Sequence, residues 1–305
     1  MTKAVVDVGS NSVLLAIAKQ ETGRWEPLCE TSEVTGLGSG VKQSGQIGEQ
    51  GAAQTLEALK RAFECARSHG VDEILAAGTM ALRIAQNADG FLRDAKAQGT
   101  PVSILSGEDE ARLGFLAVAD DPEFSRLDRI TVLDPGGHST ELVTACRTDG
   151  DWQTLFRRSF PVGALGLLET ALKSECPGPS ELLEAVSQLD QTVGLCYLPG
   201  QCGEVFVLGA TGTNLASIRE GLTTWQPEKI HGQVLDFEEV SRAVGWLCGL
   251  TESERRTVPG LEKGRERTIH AGALILERFM NAVGATTCRV SVRGWRHALF
   301  DHPLP

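Results

Sequence analysis

The chain opens on an apolar run, AVVDV at 4–8, a polar turn, GSNS at 9–12, and a second apolar run, VLLAIA at 13–18. This pattern predicts a β-hairpin with Asp7 at the end of its first strand. The arrangement returns downstream: TVLDPGGHSTEL (131–142) aligns with AVVDVGSNSVLL (4–15) at a constant offset of 127, without a gap. Asp7 falls on Asp134, Gly9 on Gly136, Ser12 on Ser139 and Leu15 on Leu142. An internal repeat of this kind predicts two halves built on one plan.

Each half then alternates strand and helix patterns. In the first, a strand at 25–34 leads to a glycine-rich loop at 36–40, and apolar residues at helical spacing over 49–70 stop at Gly70. VDEILAAGT predicts a strand, MALRIAQN a helix start, PVSILS a strand, and GEDEARLGFLAVAD (107–120) a helix with three acids in its first turn. The polar stretch DDPEFSRLD (120–128) is the expected linker, giving domains 1–124 and 125–305. In the second half, strands are expected near 152–160 and helices near 163–172 and at 179–189, the latter with a capped start at Pro179, Ser180 and Glu184. EVFVLGATGTNLASI (204–218) reads as strand, Gly/Thr loop and helix. Helices at 236–249 and 268–282, the strand CRVSV and a final helix GWRHALF follow, the last with the option of packing on the first domain. Alternation of this kind predicts an α/β fold.

Composition narrows the function classes. The 305 residues are 41% hydrophobic, enough for a sizeable core, and carry a formal charge of −11. That balance argues against nucleic acid and anionic membranes as broad partners. An anionic substrate would need a local cluster of donors and a divalent cation. No stretch of ~18 apolar residues predicts a membrane span, and the N-terminus lacks the layout of a signal peptide. The eight cysteines include no Cys-x-x-Cys pair, so reduced, mostly buried thiols in a cytoplasmic protein are expected.

Three turns rich in Gly, Ser and Thr stand after strands: DVGSNS (7–12), DPGGHSTE (134–141) and GATGT (209–213). Glycine lets backbone N–H groups approach phosphate oxygens, and hydroxyls add donors. These turns, together with GTMALRIAQN, SGEDEARLGF and SFPVGALGLLE, occur in the order found in the exopolyphosphatase/guanosine pentaphosphate phosphatase (Ppx/GppA) family, which the whole chain resembles in its short form. The resemblance implies two ribonuclease-H-like domains of the actin, sugar kinase and Hsp70 ATPase superfamily around an interdomain cleft. It implies hydrolysis of a terminal phosphoanhydride in inorganic polyphosphate or, as the alternative, guanosine pentaphosphate, with Mg²⁺ (or Mn²⁺) as cofactor. Glu110 falls on the family's water-activating glutamate, Asp134 and Glu141 on its metal-linked acids, with Asp7 across the repeat, and Arg83 on a phosphate-contacting arginine. Gly9, Ser10, Asn11 and Ser12, with Gly136, Gly137, His138, Ser139 and Thr140, fall on its two phosphate turns, and Gly212 and Thr213 on a third loop. A homodimer is an option by resemblance.

The departures from the family are equally specific. Leu14, Gly36 and Gly166 stand where basic side chains are usual, Arg267 where Asp is usual, and His297 where Glu is usual. His138, preceded by Pro135, replaces a glycine. Its ring either supplies a donor, blocks close approach, or strains the turn through a positive φ. Arg267, Arg293 and Arg296 are candidates for compensating charge. The lost donors leave two readings open beside each other: a hydrolase of weakened affinity, and a regulatory module that binds polyphosphate or guanosine tetra/pentaphosphate without turnover. An ATP-dependent kinase or ATPase ranks behind both.

Overall fold

The computed structural model describes residues 1–198 and 200–304. The chain forms two compact units, one of Met1–Leu113 with Trp295–Pro305 and one of Gly114–Gly294.

Unit 1 carries β1 (Thr2–Val8), β2 (Ser12–Glu21), β3 (Arg24–Val34), α1 (Val41–Ser44), α2 (Glu49–Ser68), β4 (Glu73–Gly78), α3 (Met80–Ile84), α4 (Ala88–Ala97), β5 (Ser103–Ile104) and the start of α5 (Gly107–Ala119). Its five strands lie in the order β3-β2-β1-β4-β5, antiparallel through the hairpin and parallel from β1 to β5. β1 is central, so Ala4, Val5 and Val6 are buried one after another instead of alternately. The helix α2 buries a stripe of Thr55, Ala58, Leu59, Ala62, Phe63 and Ala66 at the i, i+3, i+4 spacing of one helix face.

Unit 2 carries the rest of α5, then β6 (Arg129–Pro135), β7 (Thr140–Thr148), β8 (Asp151–Phe160), α6 (Ala164–Thr170), α7 (Pro179–Val193), β9 (Glu204–Val207), α8 (Gly209–Glu220), α9 (Pro227–Ile230), β10 (Val234–Asp236), α10 (Phe237–Cys248), α11 (Glu252–Arg255), α12 (Ile269–Ala282) and β11 (Thr287–Val290). Its six strands run β10-β11-β9-β6-β7-β8. The helix α12 is the main support of this sheet, with ten residues from Ile269 to Met280 buried. No helix among the described residues is long and apolar enough to cross a membrane.

The repeat in the sequence is a repeat of hydrogen bonding. Asp7 lies opposite Leu14 as Asp134 lies opposite Glu141, and the Gly9 N–H donates to Ser12 O at 2.9 Å as Gly136 donates to Ser139 at 2.9 Å. Even the irregularity of the next strand pair is shared: the register shifts between Ile17 and Ala18 and again between Thr144 and Ala145, both 127 residues apart.

Three local readings change. The units divide inside α5, between Leu113 and Gly114, while 120–128 belongs to unit 2. That stretch is polar because Asp121 is a buried side chain that accepts from the Glu123 N–H and pairs with His231 and Arg293, and Phe124 packs 4.6 Å from the Phe206 ring. The start of α7 is Gly178 with Pro179 in the first turn and no side-chain cap, so Ser180 does not cap it. The stretch 209–213 is the first turn of α8, not a loop.

The final helix α13 (Trp295–Ala298) packs in unit 1, where it meets β1. His297 Nε2 lies 2.9 Å from Glu30 Oε1 and Arg296 donates to Glu30 Oε2 at 3.1 Å. Trp25 donates to Asp301 at 2.9 Å and lies 5.2 Å from the Phe300 ring. Burial works to raise the Glu30 carboxyl, but the hydrogen bond and charge of His297 and the charge of Arg296 outweigh it and hold it down at about 2.

Candidate active site

In unit 1 the turn between β1 and β2 is held from one side. The N–H groups of Thr35 and Gly36 donate to Asn11 O, and that of Gly38 donates to Ser10 O. Gly36 takes a positive φ of 65°, so the glycine that stands in place of a basic residue serves this close return of the chain. In a trans peptide the N–H points opposite to the C=O. With Ser10 O turned to the loop, the Asn11 N–H points to the other side. Ser10 and Ser12 are buried beside it. Asp7 has Leu14 as its cross-strand neighbour, so its own hairpin brings no second carboxylate.

Arg83, in the last turn of α3, donates to Glu110 Oε2 at 2.7 Å and to Leu105 O at 2.8 Å. The side chains are 16% and 9% exposed, so the pair is largely out of water. The expected phosphate arginine and the expected base thus stand in one ion pair, formed because α3 and the first turn of α5 follow neighbouring parallel strands.

The turn of unit 2 is held in the same manner by a different element. The N–H of Ala164 donates to Gly136 O, and those of Leu165 and Gly166 to Gly137 O, at 2.8 to 3.2 Å. This directs the N–H groups of Gly137 and His138 to the opposite side. Gly163 permits the contact: a Cβ there would stand 2.5 Å from both Gly137 C and His138 N. None of residues 136–138 has a positive φ, so the histidine brings no such strain. Its ring is fully buried, with Nε2 3.7 Å from Glu169 Oε1 on α6. Of the options the sequence left open for the His138 ring, the structure shows a ring buried beneath the turn and not one exposed as a phosphate donor. Thr140 is likewise buried and donates its hydroxyl to Val162 O at 2.7 Å, which makes it a brace for 160–163 in place of a phosphate contact.

Asp134, Glu141 and Ser159 are consecutive cross-strand neighbours on β6, β7 and β8. Directly opposed residues share a face of the sheet, so the two carboxylates and the hydroxyl form one row. Glu141 is buried, and the Ser159 hydroxyl donates to its Oε1 at 2.6 Å. The Asp134 carboxylate fits a space left by glycine, because a Cβ on Gly209 would stand 2.9 Å from Oδ1. Gly209 takes a φ of 72° in turning from β9 into α8. The repeat in unit 1 reads Asp7, Leu14, Ser32 along the corresponding row. Among the described residues no group of three or more His, Cys, Asp and Glu side chains is placed to hold a metal ion. A cation on unit 2 would rest on the Asp134 and Glu141 pair.

Other expected contributors are used elsewhere. Gly212 is buried in α8, where a Cβ would meet the Val207 side chain at 2.6 Å, so it serves helix-on-strand packing. The Thr213 hydroxyl turns back to Gly209 O and Ala210 O at 3.3 Å. Arg293 pairs with Asp121, and Arg296 with Glu30; only Arg267 of the three candidate cations is exposed. Ser159, Glu169 and Gly163 belong to none of the roles that the sequence suggests. Each acts across a strand or helix boundary, and local pattern carries no signal of such pairing.

The sequence profile of the Ppx/GppA phosphatase family matches residues 16–305. Exopolyphosphatase 1 of Mycobacterium bovis is 28% identical over 310 residues, covering 100% of this chain and 88% of that protein. Exopolyphosphatase 2 of Mycobacterium tuberculosis is 25% identical, covering 90% and 89%. The crystal structure of the Ppx/GppA family member of Aquifex aeolicus superposes with a TM-score of 0.79 at 28% identity, covering 98% and 96% of the two chains. An exopolyphosphatase structure from Cytophaga hutchinsonii, 21% identical and covering 99% and 97%, shares the fold with a TM-score of 0.87. The repeated hairpin, the two α/β units and the match across 16–305 agree: this chain belongs to the Ppx/GppA phosphatase family.

Proposed function

We propose that this chain is a divalent-metal-dependent hydrolase that releases terminal phosphate from inorganic polyphosphate. The row of Asp134 and Glu141 beside a turn with outward N–H groups carries the reading. Two carboxylates directly opposed across a hairpin repel each other. An all-oxygen pair of that kind suits Mg²⁺ or Mn²⁺, which binds through one or two carboxylates and completes its shell with water and phosphate oxygens. Such a cation, when bound, polarises phosphoryl oxygens and offsets their charge.

The chain's own groups supply the remainder. Each unit taken by itself offers backbone donors for phosphate oxygens: the Asn11 N–H on unit 1, and those of Gly137 and His138 on unit 2. Ser159 orients Glu141 through its hydroxyl. A polyanion that draws Arg83 onto a phosphate frees a Glu110 oxygen to take a proton from the attacking water. The water oxygen bonds to the terminal phosphorus, and the bridging P–O bond breaks with its electron pair on the shortened chain.

Phosphate release from long-chain polyphosphate, measured beside guanosine pentaphosphate with Mg²⁺ or Mn²⁺, tests this. Loss of release in Glu110→Gln with unchanged circular dichroism supports it; no release by the wild type at any chain length or metal sinks it. One observation favours a second reading. Arg83, Arg293, Arg296 and Thr140 are all engaged in internal bonds, so the donor set for a long polyanion is thin. A ligand-binding protein without turnover fits that set, and calorimetric binding in the absence of release would select it.

A further inference from the structure

Eight cysteines are free: three buried, three half-buried, and Cys176 and Cys196 exposed. Two of the half-buried ones meet in unit 1. Cys29, opposite Ile17 on β3, and Cys65, in the last turn of α2, hold their sulfurs 4.0 Å apart at the margin of the unit 1 core. We propose that Cys29 and Cys65 form a redox-responsive dithiol that hydroperoxides oxidise to a reversible disulfide joining β3 to α2.

The geometry needs little movement. A disulfide sets its sulfurs about 2 Å apart, so side-chain rotation of about 1 Å at each sulfur closes the gap. Both residues are only partly buried, which leaves the pair open to a small peroxide. The two sulfurs are not equivalent. Burial, and then the neighbouring Cys65, push the Cys29 thiol up, which makes it the poorer initiator. Cys65 has a polar neighbour one turn along. His69 Nδ1 lies 2.9 Å from Cys65 O, so it carries its hydrogen there, and it is 3.9 Å from Cys65 Sγ. The Cys65 thiolate attacks one peroxide oxygen, the O–O bond breaks, and the leaving oxygen departs as an alcohol or water. The resulting sulfenic sulfur is attacked by Cys29, the S–O bond breaks, and water leaves with the second thiol proton. Overall, two thiols and one hydroperoxide give one disulfide, one alcohol and one water.

Closure would tether residues 36 apart in sequence and restrict the unfolded chain. It would also fasten β3, an edge strand, to the helix behind it. Glu30, next in sequence, points to the opposite face of the strand and holds α13 there. The tether and the C-terminal contact therefore grip β3 from its two sides.

The test is peptide mapping of the whole chain after hydrogen peroxide, under non-reducing conditions. The expected product is a Cys29–Cys65 linked peptide pair, lighter by two hydrogens and released by dithiothreitol. The oxidised protein should melt roughly 5 °C higher, and Cys29→Ser and Cys65→Ser should abolish that rise. Both thiols remaining open to alkylation, each advancing separately to sulfinic acid, or pairing with other cysteines would overturn the proposal. Mapping of the wild type decides the matter even where a variant folds poorly.

Discussion

Replacing Arg83 by Met keeps an unbranched apolar stem and removes the guanidinium with its charge, leaving Glu110 to carry a carboxylate without its 2.7 Å partner. The gross attraction over that distance is about 6 kcal/mol at an effective dielectric constant of ~20, and desolvation of the two groups offsets most of it. Removing one member of a fully buried pair costs ~3–5 kcal/mol. With 16% and 9% of the side chains exposed, we expect ~2–4 kcal/mol for Arg83→Met. Glu110→Gln should cost less, ~1–2 kcal/mol, because Arg83 keeps its bond to Leu105 O. The double variant holds neither charge and should recover much of the loss, giving a coupling of ~1.5–3 kcal/mol in a double-mutant cycle. Urea denaturation followed by circular dichroism measures all four proteins. A coupling below ~0.5 kcal/mol would refute the view that the two side chains act as one ion pair in solution.

Two further outcomes follow from other parts of the molecule. Glu30 is held at about 2, below its ordinary value of 4.5, so the stability it lends is complete above about pH 4.5 and is lost as pH falls through 2. Melting curves across that window should show the loss in the wild type, and Glu30→Gln should flatten it; identical acid profiles would refute the assignment. Gly163→Ala places a methyl 2.5 Å from the backbone of the turn at 137–138 and should cost ~1–3 kcal/mol, with impaired phosphate release, whereas Gly178→Ala meets nothing within 4 Å and should be silent. Equal behaviour of these two variants would show that the turn does not depend on the close approach of α6.

The hairpin repeat was legible because it rests on residues adjacent in sequence: apolar runs, a glycine turn and an acid at the strand end. The offset of 127 carried over into register, turn hydrogen bond and even the bulge. Legibility ended where side chains choose partners across elements. Nothing near Thr140 in sequence shows that its hydroxyl is directed to Val162 O, or that Arg293 is held by an aspartate 172 residues away. The direction of the His138 ring is set by the α6 segment, which roofs one side of the turn and lies 25 or more residues along the chain, so the turn's own sequence carries no sign of it. The polar stretch 120–128 has the composition of a linker because a buried aspartate paired with His231 and Arg293 has the same composition as a solvated one.

The route of the chain has a consequence for how the protein is made. Unit 1 is built from residues 1–113 and 295–305, and all of unit 2 lies between them in sequence. During synthesis, the N-terminal sheet must wait, with Trp25 and Glu30 uncovered, until the whole of 114–294 has left the ribosome. Unit 2, being continuous, can complete its core first, and residues 295–305, which emerge after it, then finish the first unit begun. Ribosome stalling or premature release late in translation would therefore yield a chain with a finished second unit and an open edge strand, the form of this protein most exposed to aggregation.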